Sequence, residues 1–225
     1  MTGPFAAELA DNGATGVSAS TTTHEPHTPR AEGREAQRLE AFSDGVLAVI
    51  ITIMAFSLAV PSNTTWSAIS QQIPPLLVYV LSFTLIGIYW NNHHHLLKAT
   101  QHISSGVMWA NLHLLFWLSL TPVATKWVGL DSSASVPAAV YGIVSLGAGG
   151  AYSVLVRMII RANGRDSRVA RAVGSNTKGR LSLSGFATGV GLSWISPWIA
   201  YALYAAVAVM WLVPNRLLLS ADGAD

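Results

Sequence analysis

Arg38, Glu40, Ser43 and Asp44 lead through Gly45 into an apolar stretch from Val46 to Val60, which Pro61 closes. Burying an unpaired charge in hydrocarbon is costly, so an acid at this place must lie at the water boundary, be paired, or be used. A second polar group, Asn92, His93, His94 and His95, ends another apolar stretch. Imidazole N–H groups or the Arg38 guanidinium can donate to the Asp44 carboxylate. Ser43 can also cap a first helical turn, with Asp44 favoured there by the helix dipole, and that reading is compatible with a network. Zinc binding by Asp44 and the three His competes with both. Three adjacent His on a helix point in three directions, however, and the His-Glu-x-x-His spacing of a metalloprotease is missing. No metal or other cofactor is therefore expected. The chain has no cysteine, and no serine–base pair, glycine-rich phosphate loop or paired carboxylate is visible. No enzymatic activity is expected either. A proton-coupled carrier usually places an acid near the membrane midplane, whereas the acids here sit at the edges of the apolar region.

The elements that position these groups are membrane helices. Charged residues make up 11% of the chain, against about 25% in a typical soluble domain, and the deficit lies after Arg38. Apolar runs of membrane length predict spans at about Phe42–Val60, Pro74–Leu97, Val107–Val128 and Val136–Ile160. The last run, from Leu181 to Val213, is too long for one span. Pro197 disfavours helix at the residue before it, which divides the run into a fifth span ending near Ser196 and a sixth from Pro197. Residues 1–35 are rich in Ala, Thr, Ser, Gly and Pro and read as a disordered cytoplasmic tail rather than a signal peptide. Residues 36–216 form the six-helix transmembrane domain, and 217–225 a short cytoplasmic tail.

Charge alternates between the connections. Arg30, Arg34 and Arg38 precede the first span, Lys98 and His102 follow the second, seven Arg and Lys residues from Arg157 to Arg180 surround the link after the fourth, and Arg216 follows the sixth. The other links carry almost no charge. This is the positive-inside pattern with both termini cytoplasmic, and it accounts for the arginine-rich link without a nucleic-acid partner. Ser82, Thr84, Asn91, Ser119, Thr121, Ser145, Gly147, Gly149, Gly150 and the Gly185-x-x-x-Gly189 pair are residue types that mediate close helix packing in membranes.

With a rotation of about 100° per residue, Arg38, Phe42, Gly45, Val49, Thr52, Ile53 and Phe56 share one face of the first span, and Asp44 falls roughly opposite. Such a stripe faces lipid, a neighbouring helix or a pore, and a lone Thr commonly bonds back to its own helix. The pattern alone leaves these open.

The run Arg38-x-x-x-Phe42-Ser43-Asp44-Gly45, with Val46, Ala48, Val49 and Thr52 after it, resembles the signature of the transmembrane protein 175 family of potassium channels, in its bacterial branch. Ser82-Phe83, Trp90 with Asn92-His93-His94, Asn111 and Pro122 continue the resemblance, which covers roughly Arg38 to Pro214. It implies an all-α membrane protein of six transmembrane helices, assembled as a homotetramer whose first helices surround a central pore. It also implies a potassium-selective, leak-type channel in the bacterial plasma membrane, conducting K+ across the lipid bilayer. By match, Val49 forms the narrowest apolar ring, Thr52 a hydroxyl ring that favours potassium, and Ile53 and Phe56 the next layers outward. Val49 and Phe56 replace the Ile and Leu common at such layers. Arg38, Ser43, Asp44, His93, His94 and Asn111 are the matched candidates for a polar network that fixes the first span against the second and third. The alternatives are a proton-permeable pathway or small secondary carrier, and a membrane scaffold without transport.

Overall fold

The computed structural model describes residues 29–58, 61, 64–173 and 177–213. Among these residues all regular structure is helical: α1 Pro29–Ala55, α2 Trp66–Gln71, α3 Ile73–Lys98, α4 Ser105–Ser119, α5 Thr121–Leu130, α6 Ser135–Asn163, α7 Arg168–Val173, α8 Thr177–Leu192 and α9 Pro197–Leu212. The expected tails at 1–28 and 217–225 lie outside the described residues.

α1 begins earlier than the composition suggested. Residues 29–35, expected in the disordered tail, are helical. Proline suits a first helical turn, and the Ala, Glu and Arg that follow are strong helix formers. The helix also ends before the expected boundary at Val60. Ser57 N–H donates to Met54 O at 3.1 Å and Leu58 N–H to Ala55 O at 3.2 Å, while Ser57 Oγ donates to Met54 O at 2.6 Å. These tightened bonds satisfy carbonyls that a helix end leaves open.

The expected third span is two helices. Pro122 has no N–H to give and its ring obstructs the carbonyl four residues back, so the chain turns at Leu120 between α4 and α5. Together Ser105–Leu130 still forms one segment long and apolar enough to cross a membrane, as do α3 and α6. α8 and α9 have 16 residues each, about 24 Å at about 1.5 Å per residue, somewhat short of a ~30 Å hydrocarbon core.

Two apolar clusters hold the bundle. In the first, Leu47, Ile50 and Met54 of α1 meet Ile86 and Leu97 of α3, Val107 and Leu114 of α4, and Leu155 of α6. In the second, Val78 and Leu85 of α3 meet Val128 of α5, Tyr141 of α6, Phe186 of α8 and Tyr204 of α9. A buried hydroxyl group joins the helices between them. Ser82 Oγ lies 2.7 Å from Thr125 Oγ1 and 3.0 Å from Tyr141 Oη, and donates to Val78 O at 2.9 Å. Each hydroxyl therefore has a partner, as burial away from water requires.

Missing side chains let helices approach closely at several places. Gly142 and Gly189 leave room for the Tyr204 ring, and Gly147 leaves room for the Trp117 indole. A Cβ at Gly150 would meet open space. Gly142→Ala is therefore expected to lower the thermal unfolding midpoint of the detergent-solubilised protein, with an overpacking cost of ~1–3 kcal/mol. Gly150→Ala is the matched control and should leave the midpoint within the small range of an uncrowded substitution.

Candidate functional site

The phase of α1 is fixed by what it buries. Ser43, Leu47, Ile50 and Met54 recur every three or four residues, and these last three are 2%, 4% and 0% exposed. On the other side Val49 is 56% exposed, Ile53 54% and Phe56 84%, with Phe42, Gly45 and Thr52 along the same face. One subunit thus presents a continuous apolar stripe with Thr52 in its middle. Thr52 Oγ1 donates to Ala48 O at 2.8 Å. Its only proton is committed to the helix, so its lone pairs remain on the exposed side.

Behind this face lies a directional hydrogen-bond chain. Ser43 Oγ donates to Leu39 O at 2.8 Å. Asn111 Nδ2 of α4 donates to Ser43 Oγ at 2.9 Å. Asn111 Oδ1 lies 2.7 Å from His93 Nε2 of α3. An amide oxygen only accepts, so the imidazole proton belongs on Nε2. His93 Nδ1 then stays buried without a partner. Ser43, Asn111 and His93 are all at or below 1% exposed, where leaving a donor unsatisfied is expensive. α1, α3 and α4 are pinned at a single point.

The acids take other partners than those expected. Asp44 was assigned to His93, His94 or Arg38. Its Oδ1 instead accepts from Trp90 Nε1 at 3.0 Å. His94 approaches Glu40, with Nδ1 2.5 Å from Oε1, an ion pair when the ring is protonated. Trp90 and His94 stack with their centroids 5.9 Å apart. Arg38 is exposed on the same stripe as Phe42 and stays outside the network. The physical reason is the antiparallel course of α1 and α3. Glu40 and Asp44 are one turn apart on α1, Trp90 and His94 one turn apart on α3, and the two ladders meet rung to rung. Glu40 and Trp90 were not assigned to the network from sequence. The four-residue spacing on each helix, with the need of an indole N–H for an acceptor, was the available signal. Among the described residues no group of three His, Asp or Glu is placed to hold a metal ion.

Comparison with known proteins adds to this geometry. Residues 38–122 match the family described as "Endosomal/lysosomal potassium channel TMEM175". A potassium channel of Chryseobacterium sp. (strain P1-3) is 45% identical over 179 residues, which are 80% of this chain and 93% of that protein. This chain belongs to the TMEM175 potassium channel family. A potassium channel of Streptomyces collinus (strain DSM 40733 / Tue 365) is 31% identical over 186 residues, covering 78% of this chain and 90% of its own length. The fold matches the crystal structure of a lysosomal potassium-selective channel TMEM175 homolog from Chamaesiphon minutus, with a TM-score of 0.71 at 24% identity over 80% of this chain and 97% of that one. As a TMEM175 protein the chain is a multi-pass membrane protein of a channel family, not an enzyme. The segment that matches the TMEM175 family contains the whole exposed stripe of α1 and every member of the hydrogen-bond chain.

The network ranks its own members. Asn111→Leu strands the buried His93 Nε2–H, at a cost of ~1–3 kcal/mol. Asp44→Ala frees an indole N–H that is partly exposed and can turn to water, so its loss should be smaller. Thermal unfolding of both variants is the measurement, and Asn111→Leu is expected to show the larger fall.

Proposed function

We propose that this chain is a potassium-selective, leak-type channel of a bacterial plasma membrane, assembled as a homotetramer with α1 of each subunit around the pore and both termini cytoplasmic. The observation that carries this reading is the contrast between the two sides of α1. One side is anchored by the Ser43–Asn111–His93 chain and by Leu47, Ile50 and Met54. The other is apolar, exposed in the single subunit and interrupted by one hydroxyl. A contiguous apolar surface of this kind marks a contact with lipid or protein, and cyclic symmetry around α1 would turn it inward.

In that arrangement Val49 forms the narrowest ring, and rings of apolar side chains gate by excluding water. Thr52 lies one turn further out. Its lone pairs point away from its own helix, so a ring of four can replace part of the hydration shell of K+. Ile53 and Phe56 form the layers beyond. Charge placement supports the orientation: Lys98, Arg157, Arg161, Lys178 and Arg180 lie within about two turns of the ends of α3, α6 and α8 that share one side of the bundle, the pattern of cytoplasmic flanks.

Two substitutions separate gate from selectivity in liposomes. Val49→Asn hydrates the constriction and is expected to raise K+ flux. Thr52→Val removes the ring of acceptors, and bi-ionic reversal potentials are expected to show K+ over Na+ preference falling roughly threefold to tenfold, equivalent to about 1 kcal/mol. An unchanged ratio would place the hydroxyl away from the ion path.

A further inference from the structure

A cavity of about 250 Å3 opens between α3 and the unit made by α6, α8 and α9, and none of its walls belongs to α1. It is therefore separate from the candidate pore face. Its depth is apolar, formed by Leu85 and Ile88 of α3, Phe186 of α8 and Val207 of α9. Its lining carries one cation. Lys178 lies on the rim, where its Nζ donates to Val213 O at 2.9 Å and sits 5.8 Å over the Trp211 ring. Those contacts hold the ammonium in place and leave two of its three donors for a ligand. His95 lies on the same rim.

From this arrangement we infer that the cavity is a binding site for an anionic phospholipid, with an acyl chain in the apolar depth and the phosphate at Lys178. The polarity of the two ends selects the occupant. A zwitterionic lipid would bring its own cation beside the held ammonium, and a free anion would leave the apolar depth unfilled. Basic pockets between membrane helices on the side of the positive loops face the leaflet in which anionic headgroups concentrate. Asn92 of α3 also lines the cavity; its Nδ2 donates to Ile88 O at 2.8 Å, so its Oδ1 is left to accept from a headgroup hydroxyl. Such a lipid braces α3, the helix that carries His93, from a wall other than the one α1 occupies.

The test uses the delipidated, purified full chain, titrated with dioctanoyl phosphatidylglycerol, dioctanoyl phosphatidylcholine or inorganic phosphate, and reads bound lipid by native mass spectrometry beside the thermal midpoint. Phosphatidylglycerol is expected to bind and stabilise, with phosphatidylcholine weaker by about tenfold, the scale of one charge-assisted hydrogen bond. Inorganic phosphate alone should not stabilise. Lys178→Gln should weaken phosphatidylglycerol about tenfold and leave phosphatidylcholine unchanged. Val156→Phe, which fills the cavity, should remove the response to both lipids. Equal binding of the two lipids, a full effect from phosphate alone, or an unchanged phosphatidylglycerol response in Lys178→Gln overturns the proposal. Lys178→Gln decides it even where Val156→Phe fails to assemble.

Discussion

Asn111 is the residue through which α1 is tied to the rest of the subunit. Its amide gives a proton to Ser43 and takes one from His93, so three helices share one buried point. All donors in this chain run the same way, from imidazole to amide to hydroxyl to the Leu39 carbonyl. A slip of one residue along α1 would turn the helix by about 100° and strand several of these groups in a place without water. The rotational setting of α1 is thus enforced by polar chemistry, while Leu47, Ile50 and Met54 supply apolar packing.

That division matters because both sides of α1 are apolar at the depth of Val49 to Met54. Hydrophobicity alone does not distinguish the side that packs from the side that is presented, since lipid tails are as apolar as leucine. Specificity has to come from a few directional groups. The second pair of rungs, Glu40 with His94 and Asp44 with Trp90, works where the helix meets the boundary and its acids remain partly solvated. Those contacts orient the end of α1 without the cost of full charge burial.

Much of this was legible in the chain. The three-and-four spacing grouped Phe42, Gly45, Val49, Thr52, Ile53 and Phe56 on one face of the first helix, because helix phase follows from sequence; that Leu47, Ile50 and Met54 form the side that packs is visible only in the structure. The six expected spans overlap, in order, α1, α3, the α4–α5 pair, α6, α8 and α9, of which α3, the α4–α5 pair and α6 are long and apolar enough to cross a membrane. Partners across helices were harder. Asp44 was matched with a base because charge complementarity is the obvious rule, yet the antiparallel register of α1 and α3 places an indole opposite it. Register depends on crossing angle and loop geometry, neither of which a single sequence states. The break at Leu120 was missed although Pro122 was visible, since a proline in a membrane segment can kink a helix as well as divide it. The cavity around Lys178 had no sequence signal, as its walls come from elements far apart in the chain.

The central claim is that the exposed face of α1 lines the ion path, and it can be tested on a chain without native cysteine. Single cysteines at Val49, Ile53 and Phe56, and at Leu47 and Ile50 on the buried side, would be treated with a cationic methanethiosulfonate during K+ current recording. Only a thiol in contact with water ionises and reacts readily. The account predicts block at Val49, Ile53 and Phe56 and none at Leu47 or Ile50. Block confined to the buried-side positions, or no block anywhere in a conducting channel, would contradict it and place α1 against lipid or protein.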